Sequence, residues 1–107
     1  MGTEATPETF SDLVSRGNVL VDFWGPRCQP CLAMMPTVEA LEERHAGKFR
    51  LVKVNAPENR QVCRDLRVIG LPTYVLYRDG AELERLSGDP SKADIEAAVE
   101  RLVEGGD

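Results

Sequence analysis

The chain alternates short apolar runs with longer segments in which apolar residues recur every three or four positions, which predicts an α/β protein. One run, Val19–Trp24, is almost continuously apolar, so we expect a strand buried on both faces. Residues 49–55 alternate in polarity and predict a second strand. Residues 73–78 and 81–87 predict a hairpin that turns at Asp79-Gly80.

Helices are predicted before, between and after these strands. The longest runs from Cys28 to about His45, because apolar residues recur there at helical spacing. The others are a short helix that begins at Thr6-Pro7 and stops near Gly17, a short helix over 59–66, and a final helix capped by Ser91. The order α-β-α-β-α-β-β-α contains no repeat and no linker, so we expect residues 1–107 to form a single domain.

Composition and charge argue against several classes of protein. The chain has 107 residues and a formal net charge of −5, and no block of Lys and Arg indicates a nucleic-acid partner. No apolar stretch approaches the roughly 18 residues of a membrane span, and the first residues lack the basic and apolar regions of a secretion signal. The three cysteines are an odd number, which argues against a purely structural disulfide framework. A reducing, cytoplasmic setting is the simplest interpretation.

The most informative segment is Cys28-Gln29-Pro30-Cys31, which follows the apolar run and opens the longest predicted helix. Two thiols at this spacing, at a strand-to-helix junction, are typical of a redox motif. The unpaired N–H groups of a helix N-terminus favour a negative charge, so we expect the pKa of Cys28 to be lowered. The alternative is a zinc-ligand pair, but zinc takes about four ligands, and only His45 and Cys63 remain, at no recognised spacing. We therefore expect no metal.

Several motifs at consistent spacing resemble the thioredoxin family. Residues 21–31 match the pattern V-D-F-W-x-x-x-C-x-P-C, and Pro36 falls where the family has a proline within its helix. Gly70-Leu71-Pro72-Thr73 is similar to the family's cis-proline loop, and 77–80 to its hairpin. The resemblance implies the thioredoxin fold, an α/β fold in which helices flank a central mixed sheet. We expect four strands, with the N-terminal edge strand short or missing, because residues 1–9 hold no apolar run.

The same resemblance implies a thiol–disulfide oxidoreductase that reduces protein disulfides by dithiol exchange. Cys28 would attack the substrate disulfide, and Cys31 would close the internal disulfide and release the reduced substrate. Asp22 lies within a buried run, where burial raises the pKa of a carboxyl group, and its implied role is that of the base for Cys31. Lys53 falls where the family has a lysine partner for this aspartate, with a surface lysine as the alternative. The protein would be a monomer that needs no bound cofactor, and a thioredoxin-reductase-type donor would supply its electrons.

The resemblance also implies an apolar surface around the dithiol that binds the substrate. Its candidate residues are Trp24, Arg27, Gly70, Leu71, Pro72 and Gly88. Arg27, Gln29 and Asp89 depart from the family, which commonly has a tryptophan, a glycine and a small apolar residue at these positions. These departures favour an alternative in which a specialised protein serves a restricted substrate or a non-standard reductase. A further alternative is a binding module whose dithiol does not turn over. Cys63 is either a small buried residue or an accessory thiol.

Overall fold

The computed structural model describes residues 2–105, and the predicted domain of residues 1–107 extends past this range at both ends. Five strands form one mixed sheet: β1 (Thr3–Glu4), β2 (Asn18–Trp24), β3 (Arg50–Asn55), β4 (Thr73–Arg78) and β5 (Ala81–Leu86). The helices of the described chain are α1 (Phe10–Leu13), α2 (Gln29–Arg44), α3 (Arg60–Leu66) and α4 (Lys92–Gly105), with a 3₁₀ turn over Ala56–Glu58.

Strand β2 lies at the centre of the sheet, whose strand order is β1-β3-β2-β4-β5. It pairs in parallel with β3 and antiparallel with β4, and every residue between Asn18 and Trp24 is buried, which confirms the predicted burial on both faces. The expected edge strand β1 is present and short: it has two residues, both exposed, and it raises the number of strands from four to five. Because these residues are polar, backbone pairing with β3 holds β1 in place, and Ala5 extends it with a 2.8 Å hydrogen bond to the Lys53 carbonyl.

Two hydrophobic clusters, one on each face of the sheet, hold the helices in place. Residues of α2 and α4 pack with Leu20 and Leu51 on one face. Phe10 and Val14, in and directly after α1, pack on the other face, where residues of α3 join them. Because side chains alternate along a strand, Asp22 shares the face of Leu20 and points towards the layer that contains α2.

The first helix begins later than the sequence predicts. The predicted start is Thr6-Pro7, but α1 spans Phe10–Leu13 and follows a turn. The Thr9 hydroxyl accepts a 2.8 Å hydrogen bond from the Thr6 N–H, and the Thr6 hydroxyl accepts one of 3.2 Å from the Thr9 N–H. This reciprocal pair has the pattern of a capping box, and the Phe10 N–H donates a 3.1 Å hydrogen bond to the Thr6 carbonyl, so a capped turn leads into the continuous helix that begins at Phe10.

Two other local predictions are confirmed. At the start of α4 the Ser91 hydroxyl accepts a hydrogen bond from the Asp94 N–H, and the Asp94 carboxylate accepts one from the Ser91 N–H, both at 3.1 Å. Between β4 and β5, Asp79 and Gly80 have φ angles of 51° and 86°, as a tight hairpin turn requires. The hairpin and the cap together place α4 against the face of the sheet that carries Leu20 and Leu51.

Candidate active site

Cys28 and Cys31 lie at the start of α2 and are joined in a disulfide. Cys28 is the N-cap of the helix, and its sulfur accepts a 3.2 Å hydrogen bond from the backbone N–H of Cys31. Cys28 is half-buried, whereas the exposed fraction of Cys31 is 0%. A partner that approaches from solvent therefore reaches the sulfur of Cys28 and not that of Cys31.

The local sequence explains why the dithiol lies at the start of a helix. After β2 ends at Trp24, a turn closes with a 3.1 Å hydrogen bond from the Cys28 N–H to the Gly25 carbonyl. Cys28 keeps an extended backbone (φ −94°, ψ 99°), and Pro30 follows in the first turn, where its missing N–H leaves no helical bond unmade. The sulfur of Cys28 consequently lies among the unpaired N–H groups of a helix N-terminus.

A groove of about 360 Å³ opens beside Cys28, and we call it the dithiol groove. It is lined by Gly25, Pro26, Arg27, Cys28, Pro57 and Leu71. A Cβ on Gly25 would lie 3.2 Å from Cδ1 of Leu71, so the glycine permits a close approach of the Leu71 loop. Of the predicted docking residues, the groove brings together Arg27 and Leu71. Sequence analysis missed Gly25 and Pro57, because the contact joins segments that are distant along the chain.

Leu71 is presented by a loop in which the Leu71–Pro72 peptide bond is cis. Pro72 is buried, and Leu71 is 36% exposed. The Thr73 hydroxyl donates a 2.6 Å hydrogen bond to the Gly70 carbonyl, which closes the loop. Neither the N–H nor the C=O of Leu71 has a hydrogen-bond partner among the described residues, so both can pair with an added strand.

The other four predicted docking residues lie outside the lining of the dithiol groove: Trp24, Gly70, Pro72 and Gly88. The Trp24 indole N–H donates a 3.2 Å hydrogen bond to the Glu4 carboxylate on β1, so the short edge strand orients this side chain. Gly70 borders a neighbouring depression. Gly88 is exposed, and both Gly88 and Asp89 have positive φ angles, of 74° and 62°. Sequence analysis missed Glu4, because its contact with Trp24 spans 20 positions.

Asp22 is a buried carboxyl group without a hydrogen bond. Its exposed fraction is 0%, and neither carboxyl oxygen has a partner among the described residues. Burial raises the pKa of Asp22 from 3.8 to about 7, against the nearby positive charge of Lys53, which lowers it. The negative charges of Glu4 and Glu39 raise the pKa further. The carboxyl group can therefore gain or lose a proton near neutral pH.

Lys53 lies directly opposite Asp22 in the pairing of β2 with β3, but its side chain bonds elsewhere. Its ammonium group donates a 2.8 Å hydrogen bond to the Glu39 carboxylate on α2, and both side chains are partly buried. The structure thus places an ion pair beside Asp22, where the sequence suggested a lysine alone. Glu39 was missed because only the packing of α2 on the sheet brings the two charges together.

Cys63 is the free cysteine of the protein and lies half-buried on α3. Burial raises the pKa of its thiol, so the neutral form prevails at neutral pH. Over residues 2–105, no three or more His, Cys, Asp or Glu side chains are grouped so that they could hold a metal ion. None of the described helices is both long enough and apolar enough to cross a membrane.

Comparison with known proteins identifies the family to which the chain belongs. A family model described as Thioredoxin matches residues 2–101. The chain belongs to the thioredoxin family. It is 34% identical over 103 residues to a thioredoxin of Acetoanaerobium sticklandii, a match that covers 94% of this chain and 98% of the relative. A Bacillus subtilis thioredoxin is 33% identical over 98 residues, covering 92% of this chain and 94% of the relative.

A solved structure supports the same assignment. A mutant thioredoxin from Halobacterium salinarum NRC-1 matches with a TM-score of 0.86 at 28% identity, covering 95% of this chain and 90% of that one. The predicted thioredoxin fold is confirmed, with its short edge strand. The family and the Cys28–Cys31 pair make the protein a thiol–disulfide oxidoreductase that reduces protein disulfides. Its substrates are disulfide-containing proteins, and a reductase supplies its electrons.

We expect Asp22→Asn to stabilise the folded protein by an amount that grows with pH. Because the folded pKa is about 7 and the ordinary value 3.8, the folded state binds more protons than the unfolded state between these values. The parent protein therefore loses stability as the pH rises through that window. Between about pH 5 and about pH 8, the difference in the free energy of unfolding between Asp22→Asn and the parent should grow by about 3 kcal/mol. Denaturant unfolding of both oxidised proteins measures it, and a constant difference would contradict the raised pKa.

In the reduced protein, iodoacetamide should modify Cys28 well before Cys63 at neutral pH. The helix N-terminus favours the thiolate of Cys28, whereas burial raises the pKa of Cys63. Mass spectrometry after short exposure identifies the modified residue. Cys63→Ser is the control, and it should leave the rate of the first modification unchanged. Faster labelling of Cys63 than of Cys28 would show that the electrostatic assignment is wrong.

Proposed function

We propose that Cys28 is the attacking nucleophile of this reductase and that Cys31 is the resolving thiol. The observation that carries the proposal is the difference in exposure between the half-buried Cys28 and the fully buried Cys31. In the first step the Cys28 thiolate attacks one sulfur of a substrate disulfide. A mixed disulfide forms between Cys28 and the substrate, and the other substrate sulfur leaves as a thiolate.

In the second step Cys31 gives its proton to the Asp22 carboxylate and attacks the sulfur of Cys28. The mixed disulfide breaks, the Cys28–Cys31 disulfide forms, and the second substrate sulfur leaves as a thiolate, so two electrons have passed to the substrate. Two observations support Asp22 as the base. It lies on the face of the sheet that α2 covers, and its pKa of about 7 suits proton transfer near neutral pH.

Lys53 acts on this step through Asp22. Its positive charge lowers the pKa of Asp22, while Glu39, which holds the ammonium group at 2.8 Å, raises it. The ion pair therefore moderates the effect of burial on the carboxyl group. Lys53 is a positioning residue in this scheme, because its ammonium group contacts Glu39 and not the dithiol.

The substrate is proposed to bind as an extended segment along the dithiol groove. The unpaired N–H and C=O of Leu71 support pairing with the backbone of such a segment, which would place its disulfide against Cys28. Arg27 and the Leu71 side chain would contact the segment inside the groove. The remaining candidates surround this contact: Trp24, Gly70, Pro72 and Gly88.

The proposal extends to the working form of the protein. We propose that residues 1–107 act as one domain and a monomer in the cytoplasm, without a cofactor or metal and without a nucleic-acid or membrane partner. The free thiol of Cys63 suits a reducing compartment. The net charge of −5 is unfavourable for binding to nucleic acid.

Cys28→Ser should abolish the reduction of insulin disulfides, whereas Cys31→Ser should accumulate a mixed disulfide between Cys28 and the substrate. The first variant lacks the nucleophile, and the second lacks the thiol that resolves the intermediate. Non-reducing gel electrophoresis and mass spectrometry detect the trapped species. Cys63→Ser is the matched control and should keep parental turnover. Full turnover by Cys31→Ser would overturn the assigned roles.

The rate of the second step should rise with pH through about 7 in the parent and lose this dependence in Asp22→Asn, because only the ionised carboxylate accepts a proton. Lys53→Met should move the midpoint to higher pH, and Glu39→Gln should move it to lower pH, because each removes one of the charges that act on Asp22. Single-turnover kinetics separate this step from the first attack. The parent, Lys53→Met and Glu39→Gln all keep the Asp22 carboxyl group. Identical midpoints in these three proteins would show that the Lys53–Glu39 ion pair does not act on the second step.

A further inference from the structure

A second groove of about 330 Å³ adjoins the dithiol groove beside α3, and we call it the α3 groove. Pro57 and Leu71 line both grooves, so the two meet at these residues and together make up a depression that begins at Cys28. Ile69, at the far side of Leu71, is 98% exposed and is the most exposed large apolar side chain among the described residues. Arg60 and Arg64 of α3 line the same depression.

The charge of this depression is opposite to that of the protein as a whole. The chain carries a net charge of −5, yet the combined lining contains Arg27, Arg60 and Arg64 and no carboxylate. None of the three forms an ion pair with a described residue. Arg60 donates only to the Pro57 carbonyl, at 3.4 Å, and Arg64 only to the Gln61 side chain, at 3.3 Å.

Other arginines of the protein do have carboxylate partners. Arg44 pairs with Glu96, Arg85 with Glu82, and Arg101 with Glu84. Arg16, Arg50, Arg67 and Arg78 form no ion pair with a described residue either, but none of them lines the depression. The depression that leads to the dithiol therefore holds three arginines without a carboxylate partner, and a bound segment could supply the carboxylates.

We infer that the combined groove selects substrates in which acidic residues lie on one side of the reactive cysteine. This inference rests on the proposed function, because it takes Cys28 as the point of attack and Leu71 as the point of backbone pairing. A segment paired with Leu71 runs from Cys28 in the dithiol groove to the α3 groove. Aspartate or glutamate side chains at its far end then meet Arg60 and Arg64, and an apolar residue covers Ile69.

Exposed charge pairs act mainly on the rate of encounter and on the choice between partners. Salt screens such pairs, because the Debye length falls from about 10 Å at 0.1 M to about 3 Å at 1 M. Selection for acidic segments should therefore appear in kcat/KM at low salt and weaken as salt is added. The rate of dithiol exchange after docking should not depend on these arginines.

The test uses three peptides of equal length, each with one cysteine in a disulfide with a fluorescent thiol. Four positions vary, two before the cysteine and two after it. The first peptide has glutamates at the two positions before the cysteine, the second has them at the two positions after it, and the third has glutamines at all four. We expect one of the two acidic peptides to be reduced with a kcat/KM about fivefold above that of the glutamine peptide at low salt, and the advantage to shrink at high salt.

The double variant Arg60→Gln, Arg64→Gln should lose the preference and keep the parental rate with the glutamine peptide. The matched control is the double variant Arg16→Gln, Arg44→Gln, which changes the net charge by the same amount. Arg16 lies just before the start of β2 and Arg44 ends α2, so both are at the opposite ends of these elements from Cys28. This control should keep the preference. Arg60→Lys with Arg64→Lys should retain most of it, since the charges remain.

Several results would overturn the inference. Equal kcat/KM for all three peptides, with reduction still dependent on Cys28, would refute selection by charge and leave the dithiol mechanism intact. A preference that survives in the Arg60→Gln, Arg64→Gln variant would place the selective charge elsewhere. Sedimentation would show whether the parent protein self-associates. If it does, and the Arg60→Gln, Arg64→Gln variant does not, a second copy of the chain occupies the groove. Failure to reduce even the glutamine peptide would count against the proposed function itself.

Discussion

Strand β2 is hydrogen-bonded to a strand on each side and covered by a layer of helices on each face. Because both edges and both faces are occupied, neither its register nor its direction can change without disrupting the core. Trp24 ends this strand, and the next turn delivers Cys28 to the start of α2. The position of the dithiol is therefore determined by the most constrained segment of the molecule.

The same constraint explains why the protein tolerates an unfavourable residue at its centre. Asp22 occupies a fully buried position of β2, where an apolar side chain would pack without an unmet hydrogen bond. Tyr74, its partner on β4, is also fully buried and has no hydrogen-bond partner for its hydroxyl among the described residues. The dense apolar packing of the surrounding clusters offsets the cost of these polar groups, and the raised pKa of Asp22 suits the role of base that we propose for it.

The parts that could be predicted from sequence are those governed by local patterns. The continuous apolar run of β2, the turn at Asp79-Gly80 and the cap at Ser91 each depend on a few neighbouring residues. The start of α1 at Phe10 is a local detail that was missed, because the capped turn over Thr6 and Thr9 precedes the continuous helical bonds.

The contacts that complete the site are not local. The Lys53–Glu39 pair, the Trp24–Glu4 bond and the place of Pro57 in the dithiol groove each join segments that approach only in the folded sheet. The same is true of the arginines of α3, whose spacing on a short helix gives no sign that they face Leu71. Sequence patterns therefore identify the reacting sulfurs better than the surface that selects their partners.

Only one sulfur of the dithiol is open to solvent, because Cys31 is fully buried behind Cys28. Electrons that leave for a substrate and electrons that arrive from a reductase must then pass through the same atom. The substrate and the reductase therefore compete for the sulfur of Cys28, so both cannot be bound at the dithiol at the same time. With the proposed roles, the protein would alternate between an electron donor and an acceptor, and its kinetics would follow a ping-pong pattern.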